Sequence, residues 1–206
     1  TLLTTTNTML HRLVVRLERQ RPRALSLGSL RLIFNGAEPI SAEVCRRLCL
    51  LTGLPETVHL PLYGLAEASV GVAAARQGGI DTRRIDGREV MVIGEPLPGV
   101  ELRVVDDHDR PLPEGQQGRL WFRGPNATEG YLGDPEATAA TLVDGWVRTG
   151  DLAVIDAGRL TVTGRHKDVV CVDGRNLHAH DVEAVAEAVP GVRANGAAAL
   201  ADRRDE

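Results

Sequence analysis

The sequence predicts a mixed α/β fold with α+β character: a parallel α/β unit, then an antiparallel β portion, then the start of a smaller second domain. Three observations carry this. Apolar residues at helical spacing interleave with short apolar runs up to residue 63, the order that builds parallel strands. From about residue 100 the pattern changes to alternating residues separated by turn formers, the mark of antiparallel pairing. A helical pattern then returns near residue 181.

The elements follow in order. Leu10, Leu13, Val14 and Leu17 share a helix face, with Thr6 or Thr8 as N-cap. "LRLIFN" (30–35) is a buried strand and "GAEP" a loop. Ser41 caps a second helix with Val44, Cys45, Leu48 and Cys49 inward, and Gly53 ends it. "TVHLPLY" (57–63) is the next strand, and the strand ends face loops available for a ligand. "RQGGIDTRRIDG" (76–87) reads as a loop. Strands are expected at 100–106 and 118–124, a hairpin at 151–165 around Asp156-Ala157-Gly158, and a strand at 168–172 before a turn at Asp173-Gly174. The last helix (181–189) carries Val182, Val185, Ala186 and Val189 on one face and stops at Pro190-Gly191. A domain boundary is placed in "GRHKD", dividing 1–164 from 165–206.

Composition excludes several classes. The formal net charge is −4 and no basic block interleaves with aromatics, so nucleic acid is not an expected partner. No apolar run reaches membrane-spanning length. Three cysteines (Cys45, Cys49, Cys171) form no disulfide framework and suit a reducing, cytoplasmic setting. Cys45 and Cys49, one helical turn apart on an apolar face, read as core. Aromatics make up only 3 %, so each Tyr, Phe and Trp is informative. The chain starts without Met and ends on "LADRRDE", and reads as a fragment of something longer.

Four polar islands end predicted strands: "NGAEP" (35–39), "YGLAE" (63–67), "TGDL" (149–152) and "GRHKD" (164–168). Each alone reads as a turn, a core aromatic or a solvated loop. A metal cluster of His178, His180, Asp181 and Glu183 would need further ligands to close. No G-x-S-x-G supports a serine nucleophile.

Taken together and in order, the islands change the reading. The chain resembles the adenylate-forming superfamily of acyl-CoA synthetases, luciferase and nonribosomal adenylation domains. "YGLAE" matches its Tyr-Gly-x-x-Glu motif, "GRLWFRGPNATEGYLGDPEAT" its Gly-Tyr-Leu stretch, and "GWVRTGDL…GRHKD…GRNLHAHDVE" its Thr-Gly-Asp, hinge and loop–helix motifs. "NGAEP" and the "GRxKD…GRN" wording are most similar to the fatty acyl-AMP ligase branch, which feeds polyketide and peptide synthases.

The resemblance implies a ligase that joins a small carboxylic acid to ATP and passes the acyl group to an acyl carrier protein's phosphopantetheine thiol, or alternatively to CoA. A non-catalytic nucleotide-binding or docking remnant is the alternative of another class. By the resemblance, Tyr63 stacks on adenine, and Gly64 lets the nucleotide approach the backbone. Gly36, Ala37 and Glu38 run along the other side of the base. Glu67 helps hold Mg²⁺, a hard cation suited to carboxylate and phosphate oxygens. Asp151 accepts the ribose hydroxyls, Arg165 contacts ribose and phosphate, and Lys167 is the hinge residue. Glu67 and Arg165 are the expected catalytic pair. The family's glycine-rich phosphate loop matches nothing here. "TLLTTTNTML" reads instead as a helix entry, and Lys167, the only lysine, is not the adenylation lysine. The 206 residues alone are therefore expected to be inactive.

Overall fold

The computed structural model describes residues 1–20, 27–172, 175–187, 189–193 and 196–200. Three parallel strands, β1 (Leu2–Thr5), β2 (Leu32–Asn35) and β3 (His59–Tyr63), alternate with helices α1 (Asn7–Gln20) and α2 (Ala42–Thr52). Strand β1 corrects the helix-entry reading of the first residues: the helix begins only after Thr6, whose hydroxyl accepts from Met9 N. In α2, Ser41 Oγ accepts from Val44 N and Gly53 closes the helix, as its sequence implies.

Both helices lie on one face of the sheet. Leu10, Val14 and Leu17 meet Val44, Cys45 and Leu48 over Ile33 and Val58 in one buried cluster. Each such side chain contributes roughly 1.5–3 kcal/mol when fully buried. Leu13 stays at the rim, 36 % exposed. Cys45 and Cys49 are free and buried, and burial pushes the Cys45 thiol up to about 11, so both are inert core.

The parallel sheet continues antiparallel through β4 (Ala73–Ala74), which pairs β3. The segment read as a loop at 76–87 instead contains half of a hairpin, β5 (Thr82–Ile85) with β6 (Arg88–Met91). Its turn, Asp86-Gly87, has φ of 49° and 80°, the double-positive geometry an Asp-Gly pair favours. Polar strands hid it. β7 (Glu95–Pro96) completes the first sheet.

The second sheet is antiparallel: β8 (Glu101–Val105), β9 (Gln117–Arg123), and a long β11 (Trp146–Asp156) that carries β9 on one edge. Its other edge takes β10 (Leu142–Val143) and then β12 (Arg159–Arg165). Before β10 lies α3 (Pro135–Thr141), capped by Asp134, whose side chain accepts from Ala137 N. On the inner face Val104, Leu120, Ala153 and Leu160 pack against Ala73 and Ile93. On the other face both tryptophans are stacked with guanidinium groups in the order Arg148, Trp121, Arg103, Trp146, Arg123, at 4.1–5.0 Å to the ring centroids.

After a short 3-10 turn (His166–Asp168), β13 (Val169–Val172) and β14 (Arg175–His178) pair only with each other among the described residues, and α4 (Ala179–Glu187) follows. The turn expected at Asp173-Gly174 lies outside the described residues, and so do the side chains of Cys171, His178, His180 and Asp181. The helix expected at 181–189 forms two residues earlier. Its apolar face is not inward: Val182 and Val185 are 46 % and 73 % exposed. Among the described residues no helix is long and apolar enough to cross a membrane.

Candidate active site

The C-terminal ends of the parallel strands and one kink in the second sheet meet at a single place. Tyr63 closes β3 and packs against two buried clusters, one around Leu120, Ala153 and Leu160 and one around Val72, Phe122 and Val147. Its hydroxyl donates to Asp151 Oδ2 at 2.5 Å, although the two residues are 88 apart in sequence. Arg165, at the end of β12, stands opposite Asp151 in the ladder and places Nε 3.3 Å from Oδ1. The ring, the carboxylate and the guanidinium expected at one cleft are therefore joined directly.

Each residue of "TGD" has a local reason. The pairing of β11 with β9 breaks between Arg148 and Leu152, so Thr149, Gly150 and Asp151 bulge off the ladder. A bulge re-aims side chains, and Gly150 supplies the φ of 76° that it needs. The Thr149 hydroxyl fills the gap: it donates to Leu120 O at 2.8 Å and accepts from Asp151 N at 3.0 Å. Asp151 is thus turned toward Tyr63 while staying 7 % exposed.

Burial dominates its titration. The Asp151 carboxyl is raised above the ordinary carboxylate range by desolvation, offset in part by the Tyr63 hydrogen bond and Arg165. The Tyr63 phenol is pushed far up by its own burial and then by the neighbouring Asp151 charge, so it stays a donor.

Glu67 sits four residues beyond Tyr63 in a 3-10 turn (Ala66–Ala68). It makes no contact with the Tyr63–Asp151–Arg165 group among the hydrogen bonds and ion pairs of the described residues; its partner is Tyr131, whose hydroxyl donates to Oε1 at 2.5 Å. Sequence reasoning missed Tyr131. Gly64 has an internal reason to lack a side chain: a Cβ there would lie 1.4 Å from Val70 O.

The "NGAEP" loop runs beside β3, where a Cβ on Gly36 would meet Leu62 O at 3.0 Å. Ala37 holds φ 66°, an uncommon conformation for a residue with a side chain. The Glu38 carboxylate is engaged by its own fold, accepting from Thr8 N at the start of α1 at 2.7 Å. Lys167 is exposed in the 3-10 turn after Arg165. Among the described residues no group of His, Cys, Asp and Glu could hold a metal by itself.

Residues 1–132 match the AMP-binding enzyme family, to which the chain belongs. It is 35 % identical over 194 residues to a long-chain-fatty-acid–CoA ligase of Escherichia coli O6:H1, covering 94 % of this chain and 32 % of that protein. It is 33 % identical to a 4-hydroxyphenylalkanoate adenylyltransferase of Mycobacterium tuberculosis, covering 88 % of this chain and 35 % of that one. A solved structure from work on fatty acyl-adenylate ligases of E. coli and L. pneumophila superposes with a TM-score of 0.86 at 26 % identity, over 95 % of this chain and 40 % of that one. The chain spans about a third of the length of the curated relatives it matches.

Proposed function

We propose that this chain carries the adenine, ribose and metal side of the active site of an ATP-dependent ligase. That ligase activates a carboxylic acid as an acyl-adenylate and delivers the acyl group to a carrier protein's phosphopantetheine thiol. The observation that carries the reading is the convergence of Tyr63, Asp151 and Arg165, drawn from two sheets into one hydrogen-bonded group.

In this reading the Tyr63 ring offers its face to adenine, with Gly36, Ala37 and the Glu38 backbone along the loop beside it. Asp151, its orientation fixed by Tyr63 and Thr149, accepts the two ribose hydroxyls, bonds to a charged acceptor that count for more than neutral ones. Arg165 places a permanent positive charge beside the ribose and α-phosphate. The acid's carboxylate oxygen attacks the α-phosphorus as the bond to pyrophosphate breaks, and the thiol sulfur later replaces AMP at the acyl carbon.

The residues fit a magnesium ion that arrives with the nucleotide. Glu67 offers one carboxylate whose Oε2 has no partner among the hydrogen bonds and ion pairs of the described residues, and Mg²⁺ is commonly held by one or two carboxylates plus substrate phosphates. Its chemistry there would be to neutralise developing phosphate charge.

Residues 1–164 would then belong to the large domain and 165–206 to the hinge and the start of the small one. Lys167 sits at the pivot. The isolated pairing of β13 with β14 supports that division. The carrier-protein acceptor is favoured by the "GRxKD…GRN" wording and the likeness to fatty acyl-adenylate ligases, and free CoA by the likeness to a CoA ligase. The test is ATP–pyrophosphate exchange with the complete ligase, followed by thioester formation with holo carrier protein or CoA. Exchange is expected from the complete ligase and not from these 206 residues alone. Nucleotide binding without exchange in the complete protein would overturn the enzyme reading.

A further inference from the structure

The turn that carries Glu67 is strained. Ser69 has φ 47° and Val70 φ 97°, and a β-branched residue at positive φ is a genuine outlier. Such strain persists only where the surroundings over-determine it, and it gathers at functional sites. Val70 does not supply that restraint through its own side chain, which is 83 % exposed.

The restraint comes from the segment after β9. Asn126 Nδ2 donates to Ala68 O at 2.9 Å and to Gly71 O at 2.6 Å, bracketing the two strained residues. Ser69 Oγ donates to Asn126 O at 3.3 Å. Thr128 N donates to Glu67 O at 2.7 Å, and Tyr131 reaches the Glu67 carboxylate itself. Tyr131 is braced in turn, since its N–H donates to Thr138 Oγ1 on α3 at 2.9 Å. Gly124 leaves the room this requires: a Cβ there would meet Asn126 Oδ1 at 2.8 Å. From the other side, Gly64 leaves space for Val70 O.

We propose that residues 124–131 form a strap that positions Glu67, with Tyr131 fixing the carboxylate and Asn126 holding the turn beneath it. Neither residue is a catalytic residue, because each acts through Glu67. The inference rests on the reading of Glu67 as the metal-side carboxylate. Donation from Tyr131 to Oε1 settles the rotation of the carboxylate and leaves Oε2 for a cation. The strap thereby couples the second sheet to the metal side of the site, while Tyr63, Asp151 and Arg165 stand on their own contacts.

The experiment titrates Mg²⁺ at fixed ATP, and separately metal-free AMP, into the complete ligase by calorimetry. Tyr131→Phe keeps the ring and removes only the hydroxyl. Its apparent Mg²⁺ affinity should fall about three- to tenfold, the loss of one ordinary hydrogen bond, with AMP affinity unchanged. Glu67→Gln should fall further in the same titration. Asn126→Ala should shift Mg²⁺ affinity in the same direction and also lower thermal stability. Unchanged Mg²⁺ affinity in Tyr131→Phe, with Glu67→Gln impaired, overturns the strap and leaves the role of Glu67 standing. No effect of Glu67→Gln overturns both. An equal loss of AMP and Mg²⁺ affinity in Tyr131→Phe overturns positioning in favour of a general structural role.

Discussion

Two corners of the candidate site are built in different ways. At the corner of Tyr63, Asp151 and Arg165, sheet geometry does the positioning: a ladder pair faces Asp151 with Arg165, a bulge turns Asp151, and Tyr63 is packed against two buried clusters. At the Glu67 corner a short turn with two left-handed residues is held by hydrogen bonds from a distant loop. The first corner stands on ladder pairing and buried packing. The second depends on a few polar contacts at partly exposed groups, and local opening begins where buried apolar contacts are few. The difference suits their proposed tasks, since a base and ribose need a fixed shape whereas a metal comes and goes with the phosphates.

The largest expected effect comes from attacking the second corner through its backbone. Gly64→Ala would drive a Cβ into Val70 O and cost about 3 kcal/mol or more of stability, read by urea unfolding. It should abolish Mg²⁺-dependent ATP binding more completely than AMP binding. Equal stability of this variant and the parent would mean that the turn is not locked.

The corners also differ in how far the sequence revealed them. "TGD" was legible because the bulge glycine, the gap-filling threonine and the carboxylate are neighbours in the chain. The residues of "YGLAE" are likewise neighbours in the chain, although the contact between Gly64 and Val70 O could not be read from them. Tyr131 and Asn126 were illegible as partners because they act across 64 and 58 residues, and nothing local in "GPNATEGY" points to Glu67. In the fold, α1, α2, β2, β3, β8, β9, β12 and most of β11 followed from periodicity and caps, whereas β1, whose residues read as a helix entry, and the two-residue strands did not. The β5–β6 hairpin was missed although Asp86-Gly87 announces its turn, because polar strands such as "TRRI" show no apolar alternation. The apolar stripe of α4 marked the helix, and its Val182 and Val185 are exposed.

A smaller, pH-dependent effect sharpens the contrast. Burial raises the Asp151 carboxyl in the folded protein, so the native state binds its proton more tightly than the unfolded chain does. Stability from this group is therefore highest below the unfolded carboxylate range and declines as pH rises through the native value. Asp151→Asn, with no charge to bury, should equal or exceed the parent in urea unfolding at pH 7. That advantage should shrink as pH falls toward 4, while nucleotide affinity is lost throughout. A parent that gains stability relative to Asp151→Asn on going from pH 4 to 7 would contradict this sign.

The most direct measurement compares the dissociation constants of AMP and its 2′,3′-dideoxy analogue for the complete ligase and for Asp151→Ala. The parent should favour AMP by about ten- to hundredfold, the range for hydrogen bonds to a charged acceptor, and the preference should disappear in Asp151→Ala. A ribose preference that survives removal of this carboxylate would contradict the proposed role of Asp151.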